Sequence, residues 1–103
     1  MKLIIIQTSF DSKKEAKIFA KLLLKEKLAG CIQISTIKSF YHWNNQICED
    51  KEYLLSIKTK KENYKKIQRK IKENHSYDLP EIIAIKITKN SREYKKFIKE
   101  NTI

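Results

Sequence analysis

Glycine, proline, cysteine and arginine are all scarce in this chain of 103 residues. It has one glycine, one proline and two cysteines. A single glycine excludes the glycine-rich loops with which many nucleotide-binding enzymes cradle phosphates. Two cysteines outside any C-x-x-C pair exclude a disulfide scaffold, and no ligand spacing matches a structural zinc site.

Long apolar runs are also missing. None approaches the roughly 18 residues that a membrane-spanning helix needs. The first apolar run, residues 3–6, is too short for the core of a signal peptide, and no small-residue cleavage site follows it. We therefore expect a cytoplasmic protein with no membrane segment, and the length predicts a single domain over residues 1–103.

The charge is strongly one-sided, with 23 basic and 12 acidic residues and a net charge of +11. Such a balance is found in proteins that bind nucleic acids or other polyanions. However, only Arg69 and Arg92 are arginines, and arginine is the residue that reads phosphates and guanines bidentately. The lysines are spread along the whole chain. This pattern favours a lysine-rich solvated surface, so nucleic-acid binding is not expected.

The first half of the chain predicts a strand, a helix and a long hairpin. Residues 3–8 are apolar on both faces, as in a central strand. A helix follows Ser12, whose S-x-x-E spacing to Glu15 is that of a capping box, and it is predicted to end at Gly30. Strands are predicted over residues 31–43, with a bulge near residues 35–36, and over residues 47–59. A tight Asn-Asn turn joins them.

The second half predicts helix, strand and helix. A second capping box spans residues 59–62, and Tyr64, Ile67 and Ile71 mark one face of a helix that ends at residues 74–75. Residues 82–88 are predicted to form a short strand. A third helix opens at residues 90–93, and three of its residues are predicted to point inward: Tyr94, Phe97 and Ile98.

The element order βαββαβα predicts an α+β fold of the ferredoxin-like split βαβ type, with the first and third strands central. The middle strands, at about thirteen residues and ~43 Å each, are much longer than the other two. Their hairpin must project beyond the sheet, and it carries Phe40, Tyr41 and Trp43 near its tip. An isolated ribbon is marginal in water. We therefore predict that further copies of the chain cover it in a closed ring.

The hairpin register argues against a metal site on the ribbon. If the two asparagines form the turn, Tyr41 opposes Cys48 and His42 opposes Ile47. His42 and Cys48 then lie on opposite sides, because strand side chains alternate. Enzyme signatures are absent too. The chain has no G-x-S-x-G, and residues 9–15 lack the arginine that acylphosphatase chemistry would need.

The segment HSYDLPEI, residues 75–82, is the strongest candidate site. His75 has two interpretations. A cationic imidazole at a helix C-terminus is stabilised by the helix dipole and needs no ligand. Alternatively, His75 binds a ligand or handles a proton beside Tyr77, Asp78 and Glu81, since one histidine and two carboxylates form a weak divalent site.

Four stretches together resemble the CutA family of divalent-cation tolerance proteins over nearly the whole chain. They are KLAGC at 27–31, SFYHW at 39–43 with Ile47 and Glu52, LSIKT at 55–59, and HSYDLPEI at 75–82. The resemblance implies a non-enzymatic homotrimer with clefts between subunits, similar in architecture to PII signalling proteins. It also implies a role in tolerance of copper and other divalent cations.

The resemblance further implies which residues line the cleft. A His-Pro-Tyr-x-x-Pro-Glu segment closes the second helix in the family, and His75, Tyr77 and Glu81 match it, with Ser76 in place of proline. Family copper contacts correspond to Gln7, Asn74 and His75, so His75 is the predicted metal ligand and copper the candidate metal.

Four further residues are predicted as neighbours across the interface: Tyr41, Trp43, Glu52 and Lys58. Glu52 and Lys58 have an alternative role as an ion pair between subunits, because unpaired buried charge is costly. A PII-like signalling module and a basic polyanion-binding protein stay open as alternative functions.

Overall fold

The computed structural model describes all 103 residues and contains four strands and three α-helices. The elements are β1 (Leu3–Phe10), α1 (Lys13–Lys25), β2 (Cys31–Trp43), β3 (Gln46–Lys60), α2 (Tyr64–Asn74), β4 (Ile83–Lys86) and α3 (Arg92–Glu100). A short 3₁₀ turn, Lys61–Asn63, precedes α2. None of the helices is long and apolar enough to cross a membrane.

The strands form one antiparallel sheet in the order β2-β3-β1-β4. The prediction that the first and third strands are central is therefore confirmed. Every second residue of β1 points to the side on which α1 and α2 pack, and these residues build the core. The buried cluster includes Ile6 and Phe10 from β1, Leu23 from α1, Ile57 from β3 and Ile71 from α2.

The hairpin of β2 and β3 projects beyond the sheet, as the strand lengths predicted. Pairing between β1 and β3 ends at Phe10 and Tyr53, so the first seven residues of β3 pair only with β2. The radius of gyration is 14.2 Å, whereas a compact chain of this length would give about 13 Å. The turn is made by Asn44 and Asn45, with φ of 51° and 62°, which asparagine tolerates better than most residues.

The predicted bulge near residues 35–36 is wrong. The register runs without interruption from Cys31, opposite Lys58, to Trp43, opposite Gln46. The alternation of apolar residues changes there for another reason. Ile34 lies on the side that faces the helices, and Ile37 lies on the opposite side of the ribbon.

Two predicted helix signals are also wrong. Thr59 does not cap α2, because it is buried in β3 and its hydroxyl donates to the carbonyl oxygen of Leu28 at 2.5 Å. Gly30 does not end α1. That helix ends at Lys25, and Lys27 takes the left-handed conformation with φ of 57°. Ser12 does cap α1, accepting from the backbone N–H of Glu15 at 3.2 Å.

Gly30 is instead required by close packing against α3. A Cβ atom at this position would lie 2.8 Å from Cδ1 and 3.2 Å from Cα of Ile98, which is fully buried. We expect Gly30→Ala to lower the free energy of unfolding by about 1–2 kcal/mol, because the overpacking cost exceeds the entropic benefit of alanine. Denaturant unfolding measures this change. The double variant with Ile98→Ala should lose less than the sum of the two single changes, and strict additivity would contradict the steric explanation.

The side of the sheet away from α1 and α2 is only partly covered. Near one end, α3 crosses it, with Lys58 Nζ 5.5 Å from the ring of Tyr94. The rest of this side, which we call the open face, is apolar and at least partly exposed. It is defined by Ile5, Ile37, Leu54, Ile83 and Ile85.

Two smaller predictions concern the C-terminal part of the chain. Phe97 does not point into the core as predicted, and it is 46% exposed in the single chain. The last strand is shorter than expected, with four residues rather than seven.

Candidate functional site

A cleft of about 660 Å³ lies where the β2–β3 ribbon leaves the sheet and meets the loop after α2. One wall comes from the ribbon and the other from residues 77–81, while Ser9 lies at the end of β1. The lining residues are Ser9, Ser39, Phe40, Tyr41, His42, Trp43, Glu52, Tyr77, Asp78, Leu79 and Glu81.

His75 anchors the loop wall to the core. It follows the last residue of α2 in an extended conformation, and its ring stacks on Phe10 with centroids 4.2 Å apart and planes at 9°. Nε2 donates to the carbonyl oxygen of Ser9 at 2.6 Å, and Nδ1 accepts from the backbone N–H of Tyr77 at 3.1 Å. These partners define a neutral imidazole protonated on Nε2, because a cationic ring has no acceptor nitrogen.

Glu52 is the buried acid of the cleft, with 7% of its surface exposed. Its Oε2 accepts from the hydroxyl of Tyr77 at 2.7 Å and from the hydroxyl of Ser9 at 3.3 Å. Its other oxygen, Oε1, makes no hydrogen bond within the chain. Burial and the hydrogen bond to Glu52 raise the pKa of Tyr77, so this phenol stays protonated and remains a donor.

Two further acid–base groups line the same cleft. Loss of hydration raises the pKa of Glu81, and the negative charge of Glu52 adds to the effect. On the ribbon, the hydroxyl of Tyr41 donates to the carboxylate of Asp50, and this bond raises the pKa of Tyr41 to about 12. The cleft thus gathers negative charge in a chain that is positive overall.

The raised pKa of Glu81 predicts a pH-dependent stability. A carboxyl whose pKa is higher in the folded state binds more protons there, so its contribution to stability falls as pH rises through that pKa. Glu81→Gln should therefore raise the free energy of unfolding at pH 7, and the gain should vanish below the ordinary pKa of 4.5. Denaturant unfolding at both pH values measures it. Glu73→Gln, on an exposed part of α2, should show no such gain, and an equal effect at both positions would contradict the assignment.

Five of the seven residues predicted for the site line the cleft: Tyr41, Trp43, Glu52, Tyr77 and Glu81. His75 lies behind Tyr77 and positions it. Lys58 lies six residues along β3 from Glu52, where its Nζ donates to Gln33 Oε1 at 2.8 Å, so one chain does not bring it to the cleft. Sequence reasoning did not assign Ser9, Ser39, Phe40, His42 or Leu79 to the cleft. For Leu79, the single proline that follows it in the sequence was the one indication that this residue lies in a loop.

The side chains of this chain do not fit a copper site. No group of three or more histidine, cysteine, aspartate or glutamate side chains is arranged to hold a metal ion. Both ring nitrogens of His75 are already hydrogen-bonded. The free thiols are on β2 and β3, where Cys31 opposes Lys58 and Cys48 opposes Tyr41. The assignment of His75 as a metal ligand stays a prediction, and it would require the ring to release one of its partners.

Comparison with known proteins identifies relatives over almost the full chain. The divalent-cation tolerance protein CutA of Thermus thermophilus is 35% identical over 99 residues, covering 95% of this chain and 96% of that protein. The corresponding protein of Pyrococcus horikoshii is 36% identical over 100 residues, covering 97% and 98%.

Solved structures agree with this match. CutA1 from Pyrococcus horikoshii superposes with a TM-score of 0.93 at 35% identity, covering 97% of this chain and 98% of that one. CutA1 from Oryza sativa gives a TM-score of 0.96 at 33% identity, covering 100% and 95%. A structure from Archaeoglobus fulgidus, with a TM-score of 0.94 at 35% identity over 96% and 97% of the chains, is described as a periplasmic divalent cation tolerance protein. The cytoplasmic location of this chain therefore stays a prediction.

A family model described as CutA1 divalent ion tolerance protein matches residues 4–101. This match and the relatives above cover the sheet, the ribbon and the loop that forms the cleft. The chain therefore belongs to the CutA family of divalent-cation tolerance proteins.

Proposed function

We propose that this protein acts in divalent-cation tolerance as a ferredoxin-like homotrimer that binds a small ligand in three clefts, each completed by a neighbouring subunit. The role is one of binding rather than catalysis. His75 has no free ring nitrogen, and the raised pKa of Tyr77 keeps its phenol protonated at neutral pH, where it cannot accept a proton.

The observation that carries the proposal is the exposed apolar surface of the ribbon and of the open face. In a single chain Phe40 is 65% exposed and Ile47 is 76% exposed, while Ile83 and Ile85 are 46% and 45% exposed on the open face. Apolar surface of this extent is typical of an interface between proteins. Since one sheet has one open face, a ring of copies that turn this face inward covers it in every subunit.

The same arrangement explains the position of the cleft. Its aromatic wall, with Phe40, Tyr41 and Trp43, belongs to the ribbon that a neighbouring subunit must shelter. The cleft is therefore at the edge of the proposed interface. A ligand held there would contact two subunits, so its binding and the assembly would favour one another.

Copper remains a second candidate ligand because of the resemblance that singled out His75. The hydrogen bonds of His75 support a structural role for the ring instead. We therefore expect His75→Ala to leave copper affinity unchanged while it lowers the free energy of unfolding by about 2 kcal/mol, through the lost stacking and an unpaired Ser9 carbonyl. Isothermal titration with Cu²⁺ measures the first effect. A copper affinity that falls tenfold or more would show that His75 is a ligand after all.

Growth under metal stress tests the proposed cellular role. Host cells that lack their own CutA protein are grown in graded concentrations of copper, zinc and cobalt salts, with and without this chain. We expect the chain to extend growth to higher concentrations of at least one cation. Identical growth curves at every concentration, with the protein present in the cells, would contradict a role in tolerance.

A further inference from the structure

The charge lining the cleft is opposite in sign to that of the chain as a whole. Among the eleven lining residues, the three that carry a formal charge at neutral pH are all acids: Glu52, Asp78 and Glu81. No lysine or arginine reaches the cleft, although the chain contains 23 of them. A cleft of this kind attracts cations and repels anions.

Glu52 supplies a fixed acceptor in that cleft. It is 93% buried, and both hydroxyl donors, from Tyr77 and Ser9, bond to the same oxygen, Oε2. The other carboxylate oxygen, Oε1, makes no hydrogen bond in the chain and keeps some contact with solvent, so it is open to a ligand in the cleft. A bound cation would be the partner of this oxygen.

The walls around this carboxylate are aromatic. Four rings line the cleft: those of Phe40, Tyr41, Trp43 and Tyr77. The faces of such rings attract cations whose charge is spread over alkyl groups, as in recognition of quaternary ammonium compounds. A hard metal ion prefers several oxygen ligands instead, and no group of three acidic or metal-binding side chains is arranged to hold one.

We infer that the cleft is a binding site for a small organic ammonium ion, held by Glu52 and by the aromatic walls. This inference rests on the proposed function, since it names the chemical class of ligand for the proposed clefts. The cleft volume of about 660 Å³ lies within the roughly 300–1,000 Å³ usual for small-molecule sites.

Titration of the full-length protein with two matched probes tests the inference. Choline carries a quaternary nitrogen, and 3,3-dimethylbutan-1-ol has the same shape with a neutral carbon in its place. Trp43 is the only tryptophan of the chain and lines the cleft, so its fluorescence reports occupancy. We expect saturable binding of choline and an affinity for the neutral alcohol at least about tenfold lower, as a cation–π contact with a nearby carboxylate implies.

Two variants assign the effect to the carboxylate. Glu52→Gln keeps the hydrogen-bond acceptors for Tyr77 and Ser9 but removes the charge, and it should weaken choline binding at least about tenfold. Glu81→Gln removes a second, exposed carboxylate and should weaken binding to a smaller extent, which keeps the test valid if the Glu52 variant fails to fold. Glu73→Gln, an exposed change on α2 that does not line the cleft, should bind choline like the unmodified protein.

Three results would overturn the inference. Equal affinity for choline and the alcohol would make the cleft a plain apolar pocket. Displacement of choline by Mg²⁺ or Zn²⁺ at lower concentrations would make it a metal site. The protein could also be trimeric and confer cation tolerance without binding choline. A neighbouring subunit would then fill the cleft, so the proposed trimer would stand while this inference falls. A protein that runs as a single chain would instead contradict the proposed function.

Discussion

Replacing Ile85 with lysine is expected to convert the proposed trimer into single folded chains. Ile85 lies on β4, pairs with Ile5 of β1 and is 45% exposed on the open face of the sheet. If this face stayed in water, the substitution would change stability by no more than about 0.5 kcal/mol. In a trimer it buries an unpaired ammonium group in each subunit. A cost of about 3 kcal/mol or more per site is then enough to abolish assembly at micromolar concentration.

Ile18→Lys is the matched control for this experiment. Ile18 is 58% exposed on the outer side of α1, on the opposite side of the molecule from the open face. The Ile18→Lys substitution should leave both the mass in solution and the free energy of unfolding nearly unchanged. Light scattering after size-exclusion chromatography distinguishes the two variants, with circular dichroism to show that both are folded. An Ile85→Lys variant that keeps the mass of the unmodified protein would place the interface elsewhere.

Replacing Phe10 with alanine is expected to lower the free energy of unfolding by about 3–5 kcal/mol, as is usual for a large buried aromatic residue. Phe10 is 1% exposed and packs against Phe19 on α1, with ring centroids 5.6 Å apart. It also supports the ring of His75, which in turn holds the backbone of Tyr77. The variant should therefore lose the geometry of the cleft together with its stability.

Phe10→Leu is the graded control, and it should cost about 1–1.5 kcal/mol because it keeps most of the buried volume. Denaturant unfolding at one fixed protein concentration measures both variants, since the stability of an oligomer depends on concentration. Similar small losses for alanine and leucine would show that the end of β1 is not part of the core. The connection from core to site would then fail.

The hairpin was the part of the fold that the sequence predicted best. Two asparagines can adopt positive φ without glycine, and this placed the turn and with it the pairs next to the turn, including Tyr41 opposite Cys48. The central positions of the first and third strands followed from the element order, and the two-sided apolar pattern of residues 3–8 agreed with it.

The errors arose where tertiary contacts decided the role of a residue. Gly30 was interpreted as the end of a helix. The position instead requires glycine because Ile98 of α3, 68 residues away in the sequence, packs closely against it. Thr59 had the spacing of a helix cap, but its hydroxyl is used by the carbonyl of Leu28. No local pattern contains either contact.

The candidate site was also predictable only where local sequence patterns, and not tertiary contacts, decide the role of a residue. The aromatic residues of the ribbon and the HSYDLPEI segment could be singled out from the sequence as two candidates. That they line one cleft of a single chain follows from tertiary contacts, among them the stacking of His75 on Phe10 and the hydrogen bond from Tyr77 to Glu52. The internal hydrogen bonds of His75 could not be foreseen either, because one partner is a backbone carbonyl 66 residues away.

The mass of the unmodified protein in solution tests the central claim most directly. Sedimentation or light scattering over a concentration range down to the micromolar should give about 37 kDa, three times the 12.3 kDa of one chain, because a closed ring shelters the ribbon. A folded species of 12.3 kDa throughout that range would contradict the trimer and the shared cleft that depends on it.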